Sequence, residues 1–175
     1  MRGGHQAGRV QRRRVRKAGG CRGLPRMTLD ADVTVNAEIE ALPGLLAAAA
    51  AAGFAPRPED PAAFVRETRV LPLRRIADGW QVDLISAGTY CEREAIARAT
   101  TVRVAGIPLP IVTAEDLLVH NVLAGRPKDL EDAATIATRY AGRLDRGFVR
   151  GVILELADAL ADDELRRRVE QLLPG

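Results

Sequence analysis

The chain is predicted to fold as α+β, a mixed β-sheet flanked by helices and followed by a helical carboxy-terminal third. Three observations predict it. Alternating or β-branched runs, Thr28 to Val35, Thr68 to Ile76 and the run Gly79-Trp-Gln-Val-Asp-Leu-Ile-Ser86, fall in the first part of the chain. An Asp78-Gly79 pair joins two of these runs, as a hairpin turn requires. From Thr113 onward the apolar residues recur at helical spacing. Strands mixed with helices first, and helices alone last, indicate α+β.

The elements follow in order. Thr28 to Val35 is the first strand. Ala37 to Gly53, rich in alanine and leucine, is a helix whose start Pro43-Gly44 delays or splits. Gly53 ends it. Arg57-Pro-Glu-Asp-Pro61 is a turn, and Pro61 opens a short helix to Glu67. Thr68 to Ile76 and the Asp83 run form the hairpin. Tyr90 to Ala99 is helical, and Thr101 to Val104 and Leu109 to Val112 are short strands about the Gly106-Ile-Pro108 turn. Thr113 caps a helix with Glu115 and Asp116 in its first turn. Gly125-Arg-Pro127 breaks that helix. Three more follow over Lys128 to Tyr140, Phe148 to Ala161 and Asp163 to Leu173.

Length and charge bound the reading further. At 175 residues one domain with a real core is expected. Its parts are a basic arm over 1–24, an α/β core over 25–112 and a helical part over 113–175. Residues 1–26 hold nine of the 26 Arg and Lys and no acid; the rest, with 17 basic against 23 acidic residues, is net −6. The arm is glycine-rich, poor in apolar residues and without an aromatic, so disorder is expected there and base stacking is not. It suits a phosphate backbone held through counterion release, which makes a basic-arm nucleic-acid binder one function class. No apolar run reaches membrane-spanning length, and the basic start lacks the apolar stretch of a secretory signal. Cys21 and Cys91 make neither a disulfide framework nor a zinc site. A cytoplasmic protein with reduced thiols and no membrane partner is expected.

The chemistry gathers on three acids. Asp30 and Asp32 stand one residue apart, so in a strand both carboxylates face the same way. Their repulsion must be offset by protonation, basic neighbours or a divalent cation. Asp83 is a lone acid among Val82, Leu84 and Ile85, and an acid in such a run should be paired, ligated or at the sheet's end. Asp-x-Asp alone is commonly a solvated turn. Three acids on two neighbouring strands instead suit magnesium, which takes oxygen ligands and shares its shell with water and phosphate.

With these residues in view, the chain resembles the nucleotidyltransferase superfamily, in its small abortive-infection (AbiEii-type) toxin-like branch. Pro25-Arg-Met-Thr-Leu-Asp-Ala-Asp32 resembles the Arg-x-Thr-x-Asp-x-Asp strand of that family. Val82-Asp-Leu84 resembles the strand bearing its third carboxylate. Thr113-Ala-Glu-Asp-Leu-Leu-Val-His-Asn-Val-Leu-Ala-Gly-Arg-Pro-Lys-Asp-Leu-Glu-Asp132 resembles its helix, its Ala-Gly-Arg break and its Lys-Asp-x-x-Asp helix start. The likeness spans about residues 25–140, in matching order and spacing.

The resemblance implies a nucleoside triphosphate as substrate and Mg2+ as cofactor. Asp30 and Asp32 would hold the metal that bridges the triphosphate. Asp83 would share a second ion and take the proton from an attacking hydroxyl, which displaces pyrophosphate at the α-phosphorus. The acceptor would be RNA, transfer RNA above all, or a protein side chain. Arg26 and Thr28 would contact substrate, Arg126 and Lys128 would neutralise the leaving pyrophosphate, and Asp129 and Asp132 would support the site; helix N-terminal charge is the plain alternative for those two acids. A toxin of a two-gene system, with a cognate antitoxin as partner, is implied too.

Two departures from the family pattern stand beside these expectations. No Gly-Gly or Gly-Ser lies where backbone amides would cradle the phosphates: the register points to Val15-Arg16, and the nearest pair is Gly19-Gly20. Either the cradle is lost or residues 1–24 are not the native reading of this region. Asn121 occupies the place of a lysine, and an uncharged amide does not offset charge building in a transition state. A catalytically degenerate fold that binds nucleotide, RNA or a partner protein without turnover is therefore the alternative.

Overall fold

The computed structural model describes residues 14–17 and 30–174. It is mixed α+β, as predicted, with a four-stranded mixed sheet, a two-stranded sheet and seven helices among the described residues. The chain divides into two compact units, the first holding Asp30–Ala97 and the second Arg98–Gly175. The division thus falls ahead of residue 98, and the last hairpin groups with the helices. The arm expected over 1–24 lies outside the described residues, apart from a short strand β1 (Arg14–Lys17) whose Arg16 pairs in parallel with Ile111.

In the first unit β2 (Asp30–Val35) leads through a 3-10 turn, Ile39–Ala41, into α1 (Leu42–Ala51). Pro43 sits in the first turn of α1, where its missing N–H costs nothing. The chain then forms β3 (Phe54–Pro56), α2 (Pro61–Thr68), β4 (Val70–Arg75), β5 (Gln81–Ser86) and α3 (Tyr90–Ala97). Gly53, at φ 77°, turns the chain out of α1, and its carbonyl accepts from Ile76 N at 2.9 Å. The four strands run β3-β4-β5-β2. β3 and β4, and β4 and β5, pair antiparallel, whereas β5 and β2 pair parallel.

The two faces of this sheet differ in chemistry. Leu71 and Leu73 of β4 join Val82 and Leu84 of β5 in one core with Leu42 and Ala49 of α1 and Val65 of α2. The alternate residues, among them Pro72 and Asp83, therefore face the other way. The β4–β5 connection is longer than a two-residue Asp-Gly turn, running from Ile76 to Trp80. Asp78 holds it together by accepting from Arg75 Nε at 2.7 Å and Trp80 N at 3.2 Å, while the Arg75 guanidinium lies 5.6 Å from the Trp80 ring centroid.

The second unit opens with the hairpin β6 (Thr100–Val104) and β7 (Ile107–Ile111). Its two turn residues, Ala105 and Gly106, both have positive φ (49° and 80°), the backbone that suits a two-residue hairpin. Four helices follow: α4 (Ala114–Ala124), α5 (Pro127–Arg139), α6 (Arg146–Leu160) and α7 (Asp163–Leu172). The side chains of Thr113, Asp145 and Asp162 cap α4, α6 and α7. Helix α4 packs on α5, α6 and α7, and its seven buried residues take up most of its circumference. Leu118 and Val122 of α4 meet a core that includes Ile136, Val149, Ile153 and Val169, all nearly inaccessible. Among the described residues no helix is long and apolar enough to cross a membrane.

Candidate functional site

Strand register brings two of the three predicted acids to one level. β2 and β5 pair in parallel with Asp32 opposite Asp83 and Asp30 opposite Gln81. Residues opposite one another in a parallel pair point to the same face, with strands about 4.8 Å apart. Asp32 and Asp83 are both half-buried. Because Asp83 alternates with Val82 and Leu84, it projects from the face opposite the core. Two carboxylates this close need a cationic counterpart. The backbone of Asp30 lies two residues before Asp32; its side chain is outside those described.

For Asp83 that counterpart is Arg57, from the segment expected to be a turn. Arg57 Nη2 donates to Asp83 Oδ1 at 2.5 Å, and Nη1 donates to Gln81 Oε1 at 2.8 Å. Backbone geometry explains the reach. Arg57 N donates to Pro72 O at 3.0 Å, and Pro72 is the register partner of Asp83. Arg57, the residue just beyond β3, thus falls in one row with Pro72 of β4, Asp83 of β5 and Asp32 of β2. Proline puts no long side chain in that row, so the guanidinium passes over it to β5. The local signal was present in the sequence: a residue before proline is pushed into extended backbone, so Arg57, before Pro58, prolongs the line of β3 rather than turning. With side chains 35% and 30% exposed, the Arg57–Asp83 pair stabilises the fold by only about 0–1 kcal/mol.

The donor set fits a hard divalent cation, since two half-buried carboxylates on one face supply the oxygen ligands such ions take. Arg57 engages one oxygen of Asp83, so cation and guanidinium would contend for the same group. Among the described residues no group of three or more acids, histidines or cysteines comes together in a metal-holding arrangement. Asp32 and Asp83 would supply two of the three expected ligands.

The remaining predicted residues belong to the second unit or lie outside the described residues. Arg26 and Thr28 are among the latter. Arg126 and Asp129 pair with each other: Arg126 Nε lies 2.5 Å from Asp129 Oδ2, and Nη2 lies 3.1 Å from Oδ1. The hydrogen bond to Asp129, with its charge attraction behind it, holds the Arg126 guanidinium above its ordinary pKa. Asp129 is buried, Asp132 half-buried and Lys128 exposed at the start of α5. Asn121 is buried in α4, 4% exposed, so it is not presented to solvent as a surface amide would be. Gly125 ends α4 in the left-handed region, at φ 65°, where a side chain would also strike the Arg168 guanidinium.

Asp116, expected as first-turn helix charge, is a buried anchor. Asp116 accepts from Arg98 Nη2 at 2.6 Å, from Thr113 Oγ1 at 2.7 Å and from Arg98 Nε at 3.2 Å. The Arg98 guanidinium in turn lies 4.9 Å from the Phe148 ring centroid. This network ties the start of the hairpin to α4 and α6. Its role is structural.

A scan against protein-family models and a search of curated proteins found no match to this chain.

Proposed function

We propose that the chain is a magnesium-dependent nucleotidyltransferase that moves a nucleoside monophosphate from a nucleoside triphosphate to a hydroxyl acceptor. The observation that carries the reading is Asp32 set opposite Asp83 on neighbouring parallel strands. The three-segment resemblance in the sequence supports it. Asp30, Asp32 and Asp83 would hold Mg2+, which would offset the charge that builds on the entering and leaving oxygens. Asp83 accepts the proton of the acceptor hydroxyl. That oxygen forms a bond to the α-phosphorus, the bond from the α-phosphorus to the α–β bridging oxygen breaks, and pyrophosphate leaves with the electron pair. The acceptor class is RNA, transfer RNA first, or a protein hydroxyl, and the activity suits the toxin of a two-gene system restrained by an antitoxin.

The test is incubation with each labelled nucleoside triphosphate, magnesium and total RNA. Label should pass to RNA or protein, and Asp32→Ala or Asp83→Ala should lower transfer at least a hundredfold, about the loss expected when a group that organises transition-state charge is removed. Absence of transfer by the wild type, or undiminished transfer by Asp32→Ala, overturns the assignment.

A second reading is favoured by two observations: Asp83 is engaged by Arg57, and the lysine position holds a buried Asn121. Here the fold binds nucleotide, RNA or a partner protein without turnover. Calorimetry with triphosphate and magnesium, alongside a pyrophosphate assay with total RNA and protein present as acceptors, separates the two, because binding without pyrophosphate release then belongs to this reading alone.

A further inference from the structure

We propose that Arg57 is a phosphate-binding residue of this site, resting on Asp83 until a divalent cation with its polyphosphate displaces it. The inference depends on the nucleotidyltransferase reading of Asp32 and Asp83. Arg57 spreads its fork over two oxygens, Asp83 Oδ1 and Gln81 Oε1, which lie two residues apart on one face of β5. A planar guanidinium that bridges two oxygens in this way is shaped for the non-bridging oxygens of a phosphate. The resting contact is shallow. Both partners are about one-third exposed, so water and salt weaken the pair and a doubly charged ion outcompetes it.

Arg57 is also anchored where it must be to make the exchange. Its backbone N–H donates to Pro72 O, so the side chain swings from a backbone held to β4. Once a cation occupies the Asp83 carboxylate, the guanidinium is repelled from it. The phosphate that accompanies the cation would then offer its oxygens to the guanidinium in place of Asp83. Asp83 therefore remains neutralised at every stage: by Arg57 at rest, by the cation when loaded.

Binding of Mn2+ alone, followed by the paramagnetic signal of the free ion, tests the first half. Arg57→Ala should tighten Mn2+ about fivefold, the factor by which an exposed ion pair of this kind can resist displacement. Magnesium with inorganic tripolyphosphate, titrated calorimetrically, tests the second half. Arg57→Ala should weaken it about tenfold, the scale of one charge-assisted hydrogen bond, and Arg57→Lys should fall between that variant and the wild type. Circular dichroism checks that the variants are folded. Equal Mn2+ affinity in wild type and Arg57→Ala, with Asp32→Asn and Asp83→Asn both weaker, overturns the resting role of Arg57 and leaves the carboxylate site standing. Tighter Mn2+ with unchanged tripolyphosphate affinity overturns the phosphate role. Mn2+ uptake that is absent, or unaltered by Asp32→Asn and Asp83→Asn, removes the carboxylate site and the inference together.

Discussion

Asp116 and Asp83 show how differently two acids in apolar surroundings can be satisfied. The sequence flagged Asp83, because a lone carboxylate amid Val82, Leu84 and Ile85 demands a partner. It could not name that partner, since Arg57 lies 26 residues away and reaches Asp83 over Pro72 of the strand between them. Asp116 looked like ordinary first-turn charge, yet it is 3% exposed and holds Arg98 and Thr113 together. Only tertiary placement distinguishes these roles. Removing the buried Asp116 carboxylate takes an acceptor from the half-buried Thr113 hydroxyl and from the partly exposed Arg98 guanidinium, so Asp116→Ala should destabilise the fold by about 2 kcal/mol. Chemical denaturation measures this, and a loss under 0.5 kcal/mol, an ordinary surface value, would show the network to be dispensable. Arg98 is partly solvated, which keeps the expected loss below that of a fully buried pair.

Whole elements were legible wherever a local signal decides them. Thr113 caps α4 and accepts from Asp116 N at 3.0 Å; Gly125 ends it; Pro61 and Pro127 sit in the first turns of α2 and α5. Strand β3 was missed because three residues, Phe54 to Pro56, carry no period of their own and owe their conformation to pairing with β4. Likewise β2 and β5 were recognisable as strands, but their parallel register is a long-range property that no short window encodes. The end of α6 reveals a local conflict between residue and backbone. Ala161 adopts φ 51° at the helix terminus, where glycine is the favoured residue. Ala161→Gly should therefore stabilise the protein by about 1 kcal/mol, the approximate cost of holding an L-residue in the left-handed region. Thermal melting checks the sign, and a lowered Tm would mean that the alanine makes contacts worth more than this strain.

At the scale of the molecule, three exposed acids link stability to pH in the same direction. Hydrogen bonds from Arg75, Arg167 and Arg150 hold Asp78, Glu164 and Glu170, respectively, below their ordinary pKa values. A depressed folded-state pKa contributes stability that is fully present above the unfolded value, roughly 4 for these groups, and is lost as pH falls through the folded value. Urea midpoints should accordingly hold steady with respect to these groups between pH 5 and 7, a range chosen to lie above roughly 4, and drop below it. Screening should shrink the effect, so 1 M salt, where the Debye length is about 3 Å, should flatten the acid limb. A limb unchanged by salt would assign the loss to buried groups instead.

The row of Arg57, Pro72, Asp83 and Asp32 has one more consequence, for how this molecule meets its own kind. β3 is the outer strand beside β4 and is only three residues long. Along an antiparallel strand a residue's N–H and C=O point to the same side, so the Pro72 nitrogen faces the flank where Arg57 N meets its carbonyl. That nitrogen has no hydrogen to offer, and Pro56 and Pro58 offer none on the neighbouring strand. An incoming chain therefore finds an interrupted ladder where it would seek regular pairing. Pro56 and Pro58, on either side of the residue that reaches the carboxylate, thus guard the outer edge against edge-to-edge aggregation.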